Sequence, residues 1–105
     1  MFFNNDFEWD YNKNELNKQK HNISFEAAIH IFGNITLESP SRGEHGEDRI
    51  LAIGILETKE IVVVYTDRSE RKRIISARRA RENERQAYKR FVERLNEQSS
   101  VEKVS

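Results

Sequence analysis

Two strongly apolar segments, residues 49–56 and 61–66, constrain the fold of this chain more than any other feature. The four residues between them give the spacing of a β-hairpin. Val62, Val63 and Val64 follow one another with no polar residue between them. Because side chains alternate between the faces of a strand, such a run belongs to a strand that is covered on both faces. The sequence therefore predicts a central strand with packing on either side.

A polar helix is expected before the hairpin. Asp10 is placed to cap a helix over about residues 11–21, because its carboxylate can accept the free amide hydrogens of the first turn. Leu16 is the main apolar contact that this helix offers, and Asn22 is placed to end it in the left-handed conformation.

A second helix is expected from Ser24, as its cap, to Gly33. Its apolar residues recur at helical spacing, at Phe25, Ala28, Ile29 and Phe32. Weaker strands are expected over residues 7–10, 35–37 and 71–76, with a loop over residues 38–48. Ser76 or Ala77 then opens a long helix that runs to about Asn96.

These elements predict an α+β fold. A small antiparallel sheet of three to four strands carries two N-terminal helices and a long C-terminal helix packed on it. The 105 residues are enough for one domain, which we expect over residues 1–97, with a frayed tail over residues 98–105.

Composition excludes several classes of protein. The chain has no cysteine, which rules out a disulfide scaffold, a thiolate metal site and a cysteine nucleophile. Its apolar runs fall far short of the ~20 residues that span a membrane. The first ten residues lack the pattern of a signal peptide, so we expect a cytoplasmic protein with no membrane contact.

The net charge of zero hides an uneven distribution of charge. Residues 1–52 hold 5 basic and 9 acidic side chains, whereas residues 53–105 hold 13 and 9. Residues 68–94 alone hold 11 basic and 4 acidic side chains, and most of the basic ones are arginine. Arginine is suited to bidentate contact with phosphate. This window is either a solvated helix face with internal ion pairs or a phosphate-binding surface.

Arg78 and Arg79 are the first candidates for a phosphate role. They follow the strand predicted over residues 71–76 and so fall at the expected start of the long helix, where backbone amides favour anions. Glu84 lies on the apolar stripe of that helix, four residues before Tyr88. A carboxylate there is either in an ion pair or part of a site, as a base or as the residue that orients an arginine.

Histidine supplies the other candidate chemistry. His21 follows Lys20 at the end of the first helix, where the pair either complements the helix dipole or serves in acid–base catalysis. His30 and His45 have no zinc spacing with His21, and the acidic loop over residues 43–49 has no second ligand cluster, so no metal is expected. The same loop leads into Arg49, which is expected to face the same site as Arg78.

Taken together, these residues resemble the BrnT family of bacterial type II toxins. The resemblance covers about residues 7–88 and departs at Asn22, where a glycine is usual, and in a longer last helix. The residues that carry it are Phe7-Glu8-Trp9-Asp10, Lys13, Asn17, Lys20-His21, Ser24-Phe25-Glu26, Ala28, Gly46-Glu47-Asp48-Arg49, Gly54, Val64-Tyr65-Thr66, Arg73-Ile74-Ile75-Ser76-Ala77-Arg78, Glu84-Arg85 and Tyr88.

The resemblance implies a fold like that of RelE-type ribonucleases and an RNA endonuclease that needs neither metal nor other cofactor and arrests translation. It also implies a BrnA-like antitoxin that neutralises the toxin and forms a complex with it. The toxin contacts operator DNA only through this complex. A toxin dimer within a larger complex is compatible with it.

With RNA as the substrate, we assign roles to ten residues. The catalytic candidates are His21, Arg49, Arg78, Glu84 and Tyr88. The candidates for binding flanking RNA are Lys20, Arg73, Arg79, Arg81 and Arg85. Arg78 and Arg49 would bind the phosphate, His21 and Glu84 would be the acid and the base in either order, and Tyr88 would orient or stack.

Two other classes of function remain open at this point. The chain could be a non-catalytic module that binds nucleic acid or an antitoxin, in which case binding would depend steeply on salt with no cleavage. It could also be a toxin that acts on a protein target such as DNA gyrase, which a supercoiling assay would detect.

Overall fold

The computed structural model describes residues 1–104, with side chains for residue 1 and residues 4–98. Within this range the protein is α+β, as predicted, and six strands form one sheet. They are β1 (Phe2–Phe3), β2 (Phe7–Trp9), β3 (Leu37–Arg42), β4 (Asp48–Leu56), β5 (Lys59–Arg68) and β6 (Arg71–Arg79). The helices are α1 (Tyr11–His21), α2 (Phe25–Ala28) with a 3₁₀ turn (Ile29–Gly33), and α3 (Glu82–Val104).

The sheet is larger than predicted and is mixed. Its order is β1-β2-β6-β5-β4-β3, and every neighbouring pair is antiparallel except β2 and β6, which are parallel. The prediction of three to four antiparallel strands is therefore wrong in number and in direction. Phe7 pairs with Lys72 across more than sixty residues of chain, so no local pattern reveals that β2 joins β6.

An edge strand stands where the sequence predicts a loop over residues 38–48. β3 pairs with β4 from Leu37 to Arg42. Its polar residues and Pro40 resemble a loop in sequence, but an edge strand is bonded on one side only and tolerates a proline. The weak strand predicted over residues 35–37 therefore begins two residues too early.

β5 is the central strand that the valine run predicts, with Val62 and Val63 both fully buried. Side chains alternate between two cores. One core lies against α1 and α2 and includes Trp9, Phe25, Ile31, Ala52, Ile61, Val63 and Ile74. The other is smaller, lies against α3, and includes Ile53, Val62, Ala80 and Tyr88.

α1 has the predicted bounds but a different attachment. Asp10 accepts hydrogen bonds from the amides of Asn12 and Lys13, and Asn22 ends the helix at a φ of 58°. Leu16, however, is 63 % exposed, so it does not anchor the helix. The side-chain amide of Asn17 anchors it instead. This amide donates to the backbone carbonyls of Ala77 (2.8 Å) and Ile23 (2.9 Å) and accepts from the backbone N–H of Ala77 (3.1 Å).

α2 begins at its predicted cap, since Ser24 accepts from the Ala27 amide at 3.1 Å. The second half of the predicted helix is the 3₁₀ turn, which presses Ile31 onto β4. A Cβ at Gly54 would lie 2.8 Å from the Cβ of Ile31, so glycine is needed there for close approach.

The boundary between β6 and α3 differs from the prediction. Ala77 and Ser76 pair with Val63 and Val64, so the strand continues to Arg79 and the helix begins only at Glu82. Pairing with the apolar strand β5 stabilises residues 76–79 as a strand more than an early helix start would. The tail predicted over residues 98–105 reaches beyond the described side chains and stays a prediction. None of the helices in residues 1–104 has the length and apolar character needed to cross a membrane.

Candidate phosphate-binding site

β6 presents neighbouring arginines to opposite faces of the sheet. Arg78 pairs with Val62, which packs in the core against α3, whereas Arg79 pairs with Ile61 in the core against α1 and α2. The two side chains therefore leave the strand on opposite sides. Their expected position at a helix N-terminus is wrong, since both belong to β6.

Arg49 and Arg73 lie on the same face as Arg78. Arg49 is two residues before Leu51, which packs against the α3-side core. Arg73 pairs with Thr66, two residues after Val64 of that core. We call the surface formed by Arg49, Arg73 and Arg78 the arginine face. Arg49 and Arg78 are on one face, but β5 lies between their strands and they are about four residues apart along it, so the shared site expected from the sequence stays a prediction.

Arg78 is held by Glu84, the polar residue on the apolar stripe of α3. Its two terminal nitrogens donate to the two carboxylate oxygens, each at 2.8 Å. One of those oxygens also accepts from the Arg81 amide at 2.7 Å. The Arg78 and Glu84 side chains are 20 % and 12 % exposed, so the ion pair is largely shielded from water. The ion pair expected as one alternative for Glu84 is therefore present, and the same contact is the one by which Glu84 would orient Arg78.

The charge on Glu84 is stabilised by these contacts. The hydrogen bond from Arg78 lowers the pKa of Glu84 below its ordinary value, and burial opposes this to a lesser degree. The same bond raises the pKa of Arg78. Because both oxygens are occupied and the carboxylate is a weakened proton acceptor, Glu84 is suited to position Arg78 and unsuited to act as the base.

The other two arginines of the face also bind carboxylates. Arg73 donates to Glu8 of β2 at 2.9 Å, and the Glu8 side chain is 11 % exposed. Arg49 donates to Glu47 at 2.5 Å. A Cβ at Gly43 would overlap the Glu47 carboxylate and lie 2.6 Å from Nε of Arg49, so the loop packs closely over the ends of these two side chains.

Such an arrangement can bind a phosphodiester. Each guanidinium has five N–H donors, and a carboxylate uses one or two of them. The carboxylates fix the orientation of the arginines, Arg78 also donates to the Arg79 carbonyl at 3.2 Å, and donors that remain exposed can bind phosphate oxygens. Two buried polar atoms lack a hydrogen-bond partner among the described residues, and both lie in this region: Nε of Arg49 and Oγ1 of Thr66.

The structure gives Tyr88 and Arg85 local structural contacts. Tyr88 is 6 % exposed, and its hydroxyl donates to the carbonyl of Ile35 at 2.9 Å, so its ring is not available for stacking. Burial raises the pKa of Tyr88. Arg85 donates to the Ala80 carbonyl at 2.8 Å and binds Glu82. Arg81 is exposed beside the Arg78–Glu84 pair.

His21 lies on the other side of the sheet from the arginine face. It lines a cleft of about 680 Å³ together with Arg79, Lys18 and Lys59. The single site that the sequence analysis assembled is thus divided, with Arg49, Arg73, Arg78 and Glu84 on one face and His21 and Arg79 on the other. Lys20 is exposed at the end of α1, next to His21.

Sequence reasoning missed Glu8 and Glu47 as members of the site. The alternation in β2 does point Glu8 away from Phe7 and Trp9, but its partner depends on the unforeseen pairing of β2 with β6. Glu47 is two residues before Arg49. If the strand had been predicted to begin before Arg49, the two side chains would have been expected on the same face.

The fold and the arginine face together define a small α+β protein with a site suited to phosphate groups. Residues 9–84 match the model of a protein family described as the ribonuclease toxin BrnT of a type II toxin–antitoxin system. The match covers more than two thirds of the chain, which therefore belongs to the BrnT family of ribonuclease toxins. A type II system pairs its toxin with an antitoxin protein. No curated protein matches the chain.

Proposed function

We propose that this protein is a metal-independent endoribonuclease that cleaves RNA at the arginine face and thereby inhibits translation. The observation that carries the proposal is the bidentate Arg78–Glu84 pair, which fixes one guanidinium on the same face as Arg49 and Arg73. A preorganised cation at the reacting phosphate is among the largest contributions to this kind of catalysis.

The reaction is an attack of the ribose 2′-oxygen on the adjacent phosphorus. A bond forms between the 2′-oxygen and phosphorus, and the bond from phosphorus to the 5′-oxygen breaks, which leaves a 2′,3′-cyclic phosphate and a 5′-hydroxyl. Arg78 stabilises the charge that develops on the phosphoryl oxygens. Arg49 and Arg73 lie roughly 13 Å further along the same face, level with Thr66, and bind phosphates of the strand to one side of the cleavage point. In this mechanism Arg78 supplies the positive charge at the reacting phosphate.

The proton leaves the 2′-hydroxyl and another reaches the 5′-oxygen, so the site needs a proton carrier. Glu84 is occupied by Arg78, and His21 lies across the sheet. His45 lies in the loop at the Arg49 end of the arginine face, where its backbone amide donates to Glu47, which binds Arg49. None of the three residues Glu84, His21 and His45 is placed to transfer a proton at Arg78. We therefore assign phosphate binding, and not proton transfer, to this face.

The partners follow from the same surface. RNA is the substrate, and a BrnA-like antitoxin with acidic segments would be attracted by the cationic face and would cover it. Contact with operator DNA would then be made through the antitoxin complex. RNA and antitoxin would therefore compete for one surface of the toxin.

The test is cleavage of total RNA in the presence of EDTA. We expect the wild-type protein to cleave and to leave 2′,3′-cyclic phosphate ends. Arg78→Ala should lower the single-turnover rate at least tenfold, about 1.4 kcal/mol in the barrier. Arg90→Ala, which removes an exposed arginine of α3 outside the face, is the matched control.

Two results would contradict the proposal. Folded wild-type protein that cleaves no RNA would favour a binding module or a toxin with a protein target. Unchanged cleavage by folded Arg78→Ala protein would remove the arginine face from the reaction.

A further inference from the structure

The cleft opposite the arginine face has no role in the reaction proposed above. It opens between the end of α1, the start of α2 and the turn that joins β4 to β5. We call it the basic cleft, after Lys18, His21, Lys59 and Arg79, which line it. Its volume of about 680 Å³ is within the range of sites that bind small ligands or single nucleotides.

The lining of the basic cleft combines free cations with an apolar floor. Arg79 and Lys59 form no ion pair with any described residue, in contrast to the three arginines of the arginine face, and Lys18 binds Glu15 at 2.6 Å. Glu57 is the single acidic residue among those that line it. The floor contains Ile23, Leu56 and Ile61. Cations beside an apolar surface suit a nucleotide, which has a charged phosphate and a flat base.

The basic cleft and the arginine face are connected through β6. Arg78 and Arg79 are consecutive, so their Cα atoms are about 3.8 Å apart, although their side chains leave opposite faces. The hydrogen bonds between Asn17 and Ala77 fix the last turn of α1 beside this part of β6. The exposed Lys20 lies on that turn, next to His21 of the cleft.

We infer that the basic cleft is a second RNA subsite, which binds a nucleotide away from the cleavage point on an RNA strand that passes from the arginine face around the C-terminal end of β6 at Arg79. This inference rests on the proposed function and extends it, because it makes RNA length a determinant of affinity. It also gives His21 a binding role in place of the catalytic one expected from the sequence.

The experiment measures binding of fluorescently labelled 2′-O-methyl RNA, which lacks the attacking hydroxyl, to the wild-type protein and to the double variant Arg79→Ala/Lys59→Ala. With RNA of about 12 nucleotides, within the usual footprint of single-strand binders, we expect at least tenfold weaker binding by the double variant. The slope of log K against log salt should fall by about 0.7 for each phosphate that the variant no longer neutralises. Arg90→Ala is the control and should bind as the wild type does.

Shortening the RNA from either end separates this subsite from the main site. We expect the difference between the wild type and the double variant to disappear once the RNA is too short to reach the basic cleft. Equal binding by both proteins at every RNA length would overturn the inference. A loss of affinity in the double variant that is the same at every RNA length would overturn it too. Neither result bears on whether Arg78→Ala slows cleavage, so failure of the subsite and failure of the proposed function are distinguishable. Lys59→Glu alone, at an exposed position, should weaken binding of the long RNA further than Lys59→Ala.

Discussion

At the scale of single residues, α1 is attached to the sheet by a buried amide. Asn17 makes three hydrogen bonds, two of them to the backbone of Ala77. Asn17→Ala would leave these backbone groups without partners in a buried place, which should lower the free energy of unfolding by about 2–3 kcal/mol. Leu16→Ala, at a side chain that is 63 % exposed, should change it by less than about 0.5 kcal/mol. Urea unfolding of both variants measures this, and equal losses would refute the account of α1.

The Arg78–Glu84 pair makes stability depend on pH. Because the pKa of Glu84 is lowered in the folded protein, its contribution is present above the ordinary value of 4.5 and is lost as the pH falls through the folded value. The difference in unfolding free energy between the wild type and Glu84→Gln should be about 1–2 kcal/mol at neutral pH and should shrink below about pH 4. Glu93→Gln, at an exposed position on α3, should show no such dependence. A difference that stays constant with pH would contradict the assignment.

The caps of α1 and α2 were predictable because a cap depends on residues within one turn of it. Asp10, Asn22 and Ser24 all occupy their expected positions. Asn17 and Glu8 were not predicted as contact residues because each binds a partner more than fifty residues away. At this scale, short-range chemistry could be inferred from the sequence and long-range pairing could not.

At the scale of elements, the contact between the 3₁₀ turn and β4 depends on a glycine. Gly54→Ala would place a methyl group 2.8 Å from the Cβ of Ile31, and the turn would have to move. We expect a loss of about 1–3 kcal/mol in the free energy of unfolding, as for other overpacked cores. Gly33→Ala is the control, because a Cβ there meets nothing within 4 Å. Thermal or urea unfolding of the two variants would show the contrast, and a neutral Gly54→Ala would contradict the packing described here.

The strands show why sequence patterns predict some elements and not others. The apolar run in β5 has no competing interpretation, so its central place was predictable. β3 is polar and contains Pro40, so its sequence resembles a loop until its six-residue pairing with β4 is known. The end of β6 has the composition of a helix start, and only the presence of the β5 partner extends the strand to Arg79.

At the scale of the whole molecule, the basic stretch of the sequence is divided between two surfaces. A helix over residues 76–79 would place Arg78 and Arg79 on neighbouring positions around one axis, whereas a strand sends them to opposite faces. The sequence therefore indicates that basic residues of this stretch form the site. It does not indicate which of them lie on the arginine face and which line the basic cleft. In the proposed function, cations on both surfaces would let one RNA strand contact the molecule on two sides.

The most direct test of this account compares Arg78→Ala with Arg79→Ala, two neighbouring arginines on opposite faces. Single-turnover cleavage of one RNA is measured in EDTA over a range of protein concentrations. The account predicts that Arg78→Ala lowers the rate at saturation at least tenfold, whereas Arg79→Ala raises the protein concentration needed for half of the maximal rate. A loss of the saturated rate in Arg79→Ala with none in Arg78→Ala would place the reaction in the basic cleft and contradict it.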